Sequence, residues 1–356
     1  MNRVLIPLSP AAGQAPPPHA PGARLCRWQG EAMGTTWSVL AALPARAGTG
    51  VADGAQGRDA VEGLAGVEST DAVQAAIDGV LAGVVAQMSN WRGDSDIGRY
   101  NRAAPGTWLT LPADAAAVVA CALQVARDSG GAYDPSAGPL VDLWGFGPAP
   151  RRSTPPAPAE VELARARCGW QRVGFDAAER RLQQPGGLSL DLCAIAKGFA
   201  VDAVSRRLAA LGLPHHLVEI GGELRGAGTK PDGTPWWVEL ETPAADTGGA
   251  RTLVALYGLA VATSGDYRRY FDCGGRRYAH TLDPRTGYPA SHALASVTVL
   301  HAECMLADAL STALTVLGPE AGLAFARGRQ LAARFLLRTP HGFEERLSPA
   351  FEAMLS

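Results

Sequence analysis

The sequence predicts an α+β protein, a single domain with a largely antiparallel sheet and flanking helices. Apolar residues at helical spacing fall in a few discrete stretches, and strand-like segments run in series between tight turns instead of alternating with helices. No internal repeat or membrane-spanning segment is evident in the 356 residues.

Residues 1–28 are rich in Pro, Ala and Gly and are expected to be a disordered tail before a folded domain over 29–350. "EAMGTTWSVLAAL" then alternates as a strand does, and the Gly-, Ala- and Asp-rich residues 44–70 read as a loop insertion. Val73, Ile77, Val80, Leu81, Val84, Val85 and Met88 mark a helix over 71–88. A second helix over 113–127 stops at Ser129, Gly130 and Gly131. The Pro- and Arg-rich residues 148–159 form another loop insertion, followed by a short helix and a hairpin around Asp176 to Gln184. A helix is expected from about Ile195 to Leu211. "HHLVEIGGELRGAG", "WWVELETP", "TLVALYG" and "LAVATSG" then read as strands of one antiparallel sheet, parted by turns such as "KPDG".

Composition narrows the function. With 47% hydrophobic and 19% charged residues and a formal charge of −2, the chain has no extended basic face for nucleic acid or anionic membranes. Any anionic ligand must be held by local groups. The six cysteines lack metal-finger or C-x-x-C spacing and read as scattered thiols. The apolar run Val4 to Leu8 is shorter than a signal-peptide core, so the expected compartment is the cytoplasm.

Chemistry-bearing residues crowd between Thr263 and Leu314, where Ser264, Asp266, Tyr267, His280, Asp283, Arg285, Thr286, Asp308 and Thr312 lie among turn-forming Gly and Pro. Asp308 and Thr312, at i and i+4, share a helix face and offer hard oxygen ligands suited to Mg²⁺. The same pair also suits a dipole-compensating Asp and a Thr bonded back to its own helix. In "LSLDLCAIAKGFAVDAV", Asp191 ends a strand, and Lys197 and Gly198 lie at a helix entry, where backbone carbonyls can ligate a cation and phosphate is favoured. "GGAYDPSAGPLVDLWGFGP" sets Tyr133, Trp144 and Phe146 among Gly-rich turns, fit either to stack on a heterocycle or to pack as core. A Ser near an Asp and a His also admits a hydrolase with Ser264 as nucleophile, although no G-x-S-x-G elbow is present.

Taken in order, "MGTTWSV", "MSNWRGDSDIGRYN", "GAYDPSAGPLVDLWGFGP", "LDLCAIAKGFAVD", "VEIGGELRGAG", "TSGDYRRYF", "HTLDPRTGYP" and "ASVTV" followed by "ADALSTAL" resemble the FAD:protein FMN transferases, the ApbE family, over about residues 30–327. The turn after Asp191 reads Cys193-Ala194 where the family often has Gly-Gly or Gly-Ala, and the family's usual lipoprotein signal is missing.

The resemblance implies an active site between two lobes and an enzyme that transfers the FMN half of FAD to a Thr or Ser hydroxyl of an acceptor protein and releases AMP. It implies Mg²⁺ held by the Ala194 carbonyl, Asp308 and Thr312. FAD is placed on Met33, Trp91, Ala132, Tyr133, Asp134, Asp191, Lys197 and Leu282. His280 is the candidate base, with Asp283 and Arg285 orienting it or the phosphates, or capping the turn. Two rivals keep the same site: a Mg²⁺-dependent FAD pyrophosphatase yielding FMN and AMP, and a flavin-binding module without turnover. Expected acceptors are subunits of redox complexes or flavin-bearing reductases.

Overall fold

The computed structural model describes residues 3–6, 18–20, 22–44, 70–243 and 251–355. At its centre is an eight-stranded sheet of β1 (Arg24–Ala32), β2 (Thr35–Leu43), β3 (His216–Ile220), β4 (Glu223–Ala227), β5 (Leu259–Gly265), β6 (Leu294–His301), β7 (Ala332–Thr339) and β8 (Gly342–Leu347). Spatial order follows chain order, and every neighbouring pair is antiparallel. Helices enter this meander at two points. Between β2 and β3 come α1 (Thr70–Met88), α2 (Asp96–Arg102), α3 (Ala113–Asp128), α4 (Gly138–Leu143), α5 (Pro158–Arg165) and α6 (Ala196–Ala210). Between β6 and β7 comes α7 (Cys304–Gly328), and α8 (Pro349–Glu352) follows β8.

Strand alternation sorts the sheet's residues onto two covered faces. Val39, Val218, Ala262 and Val299 point into the main core with Ile77 and Leu81 of α1, Phe199 and Val204 of α6, and Leu310 and Leu314 of α7. Their strand neighbours Leu40, Leu217, Val261 and Leu300 point the other way, into a second core closed by Leu5, Trp236, Leu256 and Phe351. Both faces are buried, so these strands read as nearly continuous apolar runs. Each fully buried Val or Leu contributes about 1.5–3 kcal/mol relative to exposure.

The second core corrects two expectations. Trp236–Glu239 and Thr252–Leu256 leave the central sheet and form a separate three-stranded one with Arg3–Leu5, which pairs parallel to Thr252–Leu256. Residues 3–5 therefore depart from the disordered tail expected over 1–28: Leu5 is fully buried, and Arg3 reaches Glu345 and Thr252. β1 also begins at Arg24, ahead of the expected domain start. Of the expected loop over 44–70, residues 45–69 lie outside the described residues.

α7 is long and apolar enough to cross a membrane by length and composition, which the sequence reading did not register. It is the central core helix, packed on β5, β6 and α6, and it breaks at Gly318 (φ 80°), where Pro319 starts a new turn.

A smaller lobe holds α4, α5, the hairpin Tyr270–Cys273/Arg276–Ala279 and the short pair Leu282–Asp283/Tyr288–Pro289. Trp144, fully buried, anchors it by stacking near Phe271 and Tyr278 and donating from Nε1 to the Gly287 carbonyl at 2.9 Å. Trp144, Phe146 and Tyr133 are all buried and pack in the core clusters. The hairpin expected near Asp176 is present as Gly174–Asp176 and Arg181–Gln183, joined by Trp108–Thr110.

Candidate active site

The N-termini of α6 and α7 meet, and each is capped by a carboxylate of the other. Neither Ile195 nor Glu303, the residues preceding these helices, supplies a side-chain cap. Asp202 of α6 instead accepts from the backbone N–H groups of Cys304 (3.1 Å) and Met305 (2.9 Å), while its Oδ1 also binds Arg225 at 2.7 Å. Reciprocally, Asp308 of α7 accepts from the Gly198 N–H through Oδ2 at 3.0 Å. Such contacts satisfy orphan donors that a helix start leaves in a buried setting. They require close approach: a Cβ on Gly198 would lie 2.3 Å from the Cys304 carbonyl oxygen and 2.8 Å from the Asp308 Cβ. The "AKG" turn and "ADALSTAL" thus reach one place.

Lys197, beside Gly198, donates to Glu223 Oε1 at 2.5 Å. Glu223 starts β4, only 2% exposed, and its Oε2 is buried without a hydrogen-bond partner among the described residues. The turn before it, Gly221-Gly222, has φ of 61° and 98°, a left-handed path open to glycine. Arg268 lies across that turn, donating to the Gly221 carbonyl at 2.8 Å and pairing with Glu241.

Burial pushes the Glu223 carboxyl up to about 7, Asp308 adding to the rise and Lys197 opposing it. The Asp308 carboxyl is likewise raised by burial, against the pull of Lys197 and the Gly198 N–H. Burial works to lower the Lys197 ammonium, but Glu223 and Asp308 more than offset it, and the net shift is upward. The cluster is therefore strongly interacting, with two carboxylates against one ammonium.

His280 stands on the small lobe, its Nδ1 at 3.2 Å from the Arg269 carbonyl oxygen, which leaves Nε2 as the nitrogen for other work. Burial lowers its pKa to about 4, and the charges of Arg269, Lys197 and Arg268 push the same way. The imidazole is neutral at pH 7 and able to accept a proton. A cleft of about 470 Å³ begins at Ala279, the residue before it, and is lined by Asp266, Arg276, Ser291, His292 and Arg338.

Other expected residues divide into two groups. Trp91 is 53% exposed and sits in the loop whose Asn90 Oδ1 lies 3.4 Å from Cys193 Sγ, placing an open aromatic face beside the 191–194 turn. Asp191 organises that turn by accepting from the Cys193 N–H at 2.8 Å. Met33 caps the β1–β2 hairpin with φ 54°, a conformation that costs a non-glycine residue roughly 1–2 kcal/mol. It is half-buried against the main core. Thr312 makes no hydrogen bond among the described residues, whereas Ser311 and Thr315 bond back to their own helix. The Thr312 hydroxyl is thus the free one on that face.

The second group has structural work. Asp134 binds the Ser136 N–H (2.7 Å), the Ser136 hydroxyl (2.6 Å) and the Trp170 N–H (3.1 Å), so its side chain shapes a turn. Ala132, Tyr133 and Leu282 are buried at 1%, 3% and 7% exposure, and the Tyr133 hydroxyl has no hydrogen-bond partner among the described residues. Asp283 holds Arg285 through both oxygens, each at 2.9 Å, and its carbonyl accepts from Gly287 N–H at 2.8 Å. Asp283 organises the "DPRTG" turn, one of the roles open to it from the sequence. The Ser264 hydrolase reading lacks a triad: Asp266 pairs with Arg338, and His280 Nδ1, the nitrogen a triad carboxylate would orient, faces the Arg269 carbonyl instead.

The family model for the ApbE family matches residues 33–335. The chain belongs to the ApbE family. Among curated relatives, the FAD:protein FMN transferase of Haemophilus influenzae is 40% identical over 285 residues, covering 78% of this chain and 82% of that protein. The Vibrio cholerae protein of the same name is 38% identical over 291 residues, covering 82% and 87%. Among solved structures, the apo Pseudomonas stutzeri flavinyl transferase ApbE superimposes with a TM-score of 0.80 at 38% identity, covering 93% of this chain and 97% of that one. The Vibrio cholerae flavin transferase ApbE gives 0.81 at 34% identity, covering 93% and 99%.

Sequence reasoning assigned no role to Glu223, Asp202 or Arg268 as ApbE-family residues, although all three lie within the motifs that carry the resemblance. For Glu223 and Asp202 the signal was present in "VEIGGELRGAG" and "AKGFAVD", where a charged residue follows glycines or interrupts an apolar helix face.

Proposed function

We propose that the chain is a FAD:protein FMN transferase, which moves the FMN half of FAD onto a Thr or Ser hydroxyl of an acceptor protein and releases AMP. The carrying observation is the cradle of Lys197, Gly198, Asp308 and Glu223, built by family motifs at a meeting of two helix N-termini. Such a place suits a diphosphate: the Lys197 ammonium and the α6 N-terminus both favour anionic oxygens. The exposed face of Trp91 supports flavin stacking nearby.

The residues present also fit Mg²⁺. Asp308 has an oxygen beyond the one that takes the Gly198 N–H, the Thr312 hydroxyl is free of its helix, and the 191–194 turn brings the Ala194 carbonyl near the start of α6. When bound there, Mg²⁺ would neutralise charge on the diphosphate oxygens. His280 Nε2 takes the proton of the acceptor hydroxyl as its oxygen bonds to the FMN phosphorus. The bond from that phosphorus to the bridging oxygen breaks, and AMP leaves with the electron pair. Lys197 holds the diphosphate in place.

The acceptor segment, on this reading, approaches along the cleft lined by Arg276 and Ala279, the latter next to His280 in the chain. Arg276, which stacks on Tyr278 and has no carboxylate partner among the described residues, favours an acidic side chain on that segment. Incubation with FAD, Mg²⁺ and host lysate, followed by in-gel flavin fluorescence and product analysis, tests the proposal. A fluorescent protein band plus AMP supports it. Free FMN plus AMP with no labelled band would establish the pyrophosphatase instead, and FAD recovered intact would establish a binding module.

A further inference from the structure

Glu223 is more than the partner of Lys197. Its carboxylate is 2% exposed, Oε1 is taken by the Lys197 ammonium at 2.5 Å, and Oε2 is buried with no hydrogen-bond partner among the described residues. A buried carboxylate oxygen without a donor is unfavourable by several kcal/mol, and such atoms are rare in native interiors. Had Glu223 served only to hold Lys197, a solvent-facing or N–H-bonded second oxygen would have sufficed. Instead the carboxylate lies close enough to Asp308 for the two charges to interact, and Arg268 lies across the Gly221-Gly222 turn that precedes it. Glu223 and Asp308 both act on the Lys197 ammonium, and a divalent cation between them would give the unpartnered Glu223 oxygen a positive counterpart.

We propose that Glu223 is a second carboxylate of the divalent-cation site, its Oε2 serving the cation's coordination shell while Oε1 holds Lys197. The proposal rests on the reading that Asp308 and Thr312 bind a metal. It makes Glu223 and Lys197 act with opposite sign on metal affinity. The carboxylate attracts the cation, and the ammonium competes with it for the same charge.

The test is Mn²⁺ binding to the full chain without flavin, measured by calorimetry or electron paramagnetic resonance. The variants are Glu223→Gln, Lys197→Met and Asp308→Asn, with near-UV circular dichroism as the folding control. Glu223→Gln should weaken Mn²⁺ binding by about tenfold or more, while Lys197→Met should bind Mn²⁺ at least as tightly as the parent. If Glu223→Gln does not fold, Glu223→Asp, which keeps the charge but withdraws the oxygens by one methylene, should weaken Mn²⁺ binding in the same direction. Parent-like affinity in the folded Glu223 variant, with loss in Asp308→Asn, would overturn this inference and leave the metal site standing. Parent-like affinity in both would remove the metal reading itself. Equal weakening in Glu223→Gln and Lys197→Met would also overturn it, since Glu223 would then act only by placing Lys197.

Discussion

Asp308 has two duties in this structure, and a pair of substitutions separates them. Its Oδ2 caps α6 at the Gly198 N–H, and its charge serves the proposed cation site. Asp308→Asn keeps an oxygen able to accept from Gly198 and removes the charge. Burial disfavours that charge in the folded protein, so its removal offsets the lost attraction to Lys197, and stability should stay within about 1 kcal/mol of the parent. Asp308→Ala removes both functions. It leaves the Gly198 N–H buried without an acceptor and empties side-chain volume at a helix start, for a loss of about 2–4 kcal/mol. Urea unfolding followed by circular dichroism reads stability, and FMN transfer at saturating FAD over a range of Mg²⁺ concentrations reads function. Expected is a split: Asp308→Asn stable but impaired in transfer, with a raised Mg²⁺ requirement, and Asp308→Ala impaired in both. Near-normal transfer by Asp308→Asn at the parent's Mg²⁺ requirement would refute the metal role and leave only the cap.

Three further outcomes are expected. His280→Ala should keep FAD affinity near the parent value while transfer slows by roughly two to four orders of magnitude; loss of FAD binding with unchanged transfer per bound FAD would make it a ligand contact. His216, which is 1% exposed and bonded to Ser205 and the Leu213 carbonyl, has its pKa lowered to about 4 by burial. Its unfolded form binds a proton below pH 6.5 that the native form refuses until about pH 4, so stability is complete above 6.5 and falls through that window, by about 3 kcal/mol from this group. Urea midpoints measured from pH 4 to 7 should show one proton less of slope in His216→Gln. Arg276→Glu should raise KM for the acceptor protein and leave KM for FAD unchanged, and equal effects on both would move the acceptor away from the cleft that Arg276 lines.

Much of this protein was legible without coordinates, because local rules wrote it. The helices over 70–88, 113–128 and 196–210 follow from apolar spacing with Gly or Ser at their ends, and the strands from alternation between turn residues. The ordered motifs pointed to the ApbE family, and the pairing of Asp308 with Thr312 on one helix face needed only the helical period. Tertiary structure decided the rest. Sequence pattern could not tell that Trp236–Glu239 and Thr252–Leu256 leave the central sheet, because an apolar strand looks the same whichever buried face it serves. Nor could it tell that Asp283 and Asp134 are consumed by their own turns while Glu223 is carried inward with one oxygen unpartnered. A carboxylate's role depends on which donors surround it, and those donors come from segments as distant in the chain as Gly198 is from Asp308, brought together only by packing the two helix starts against one another.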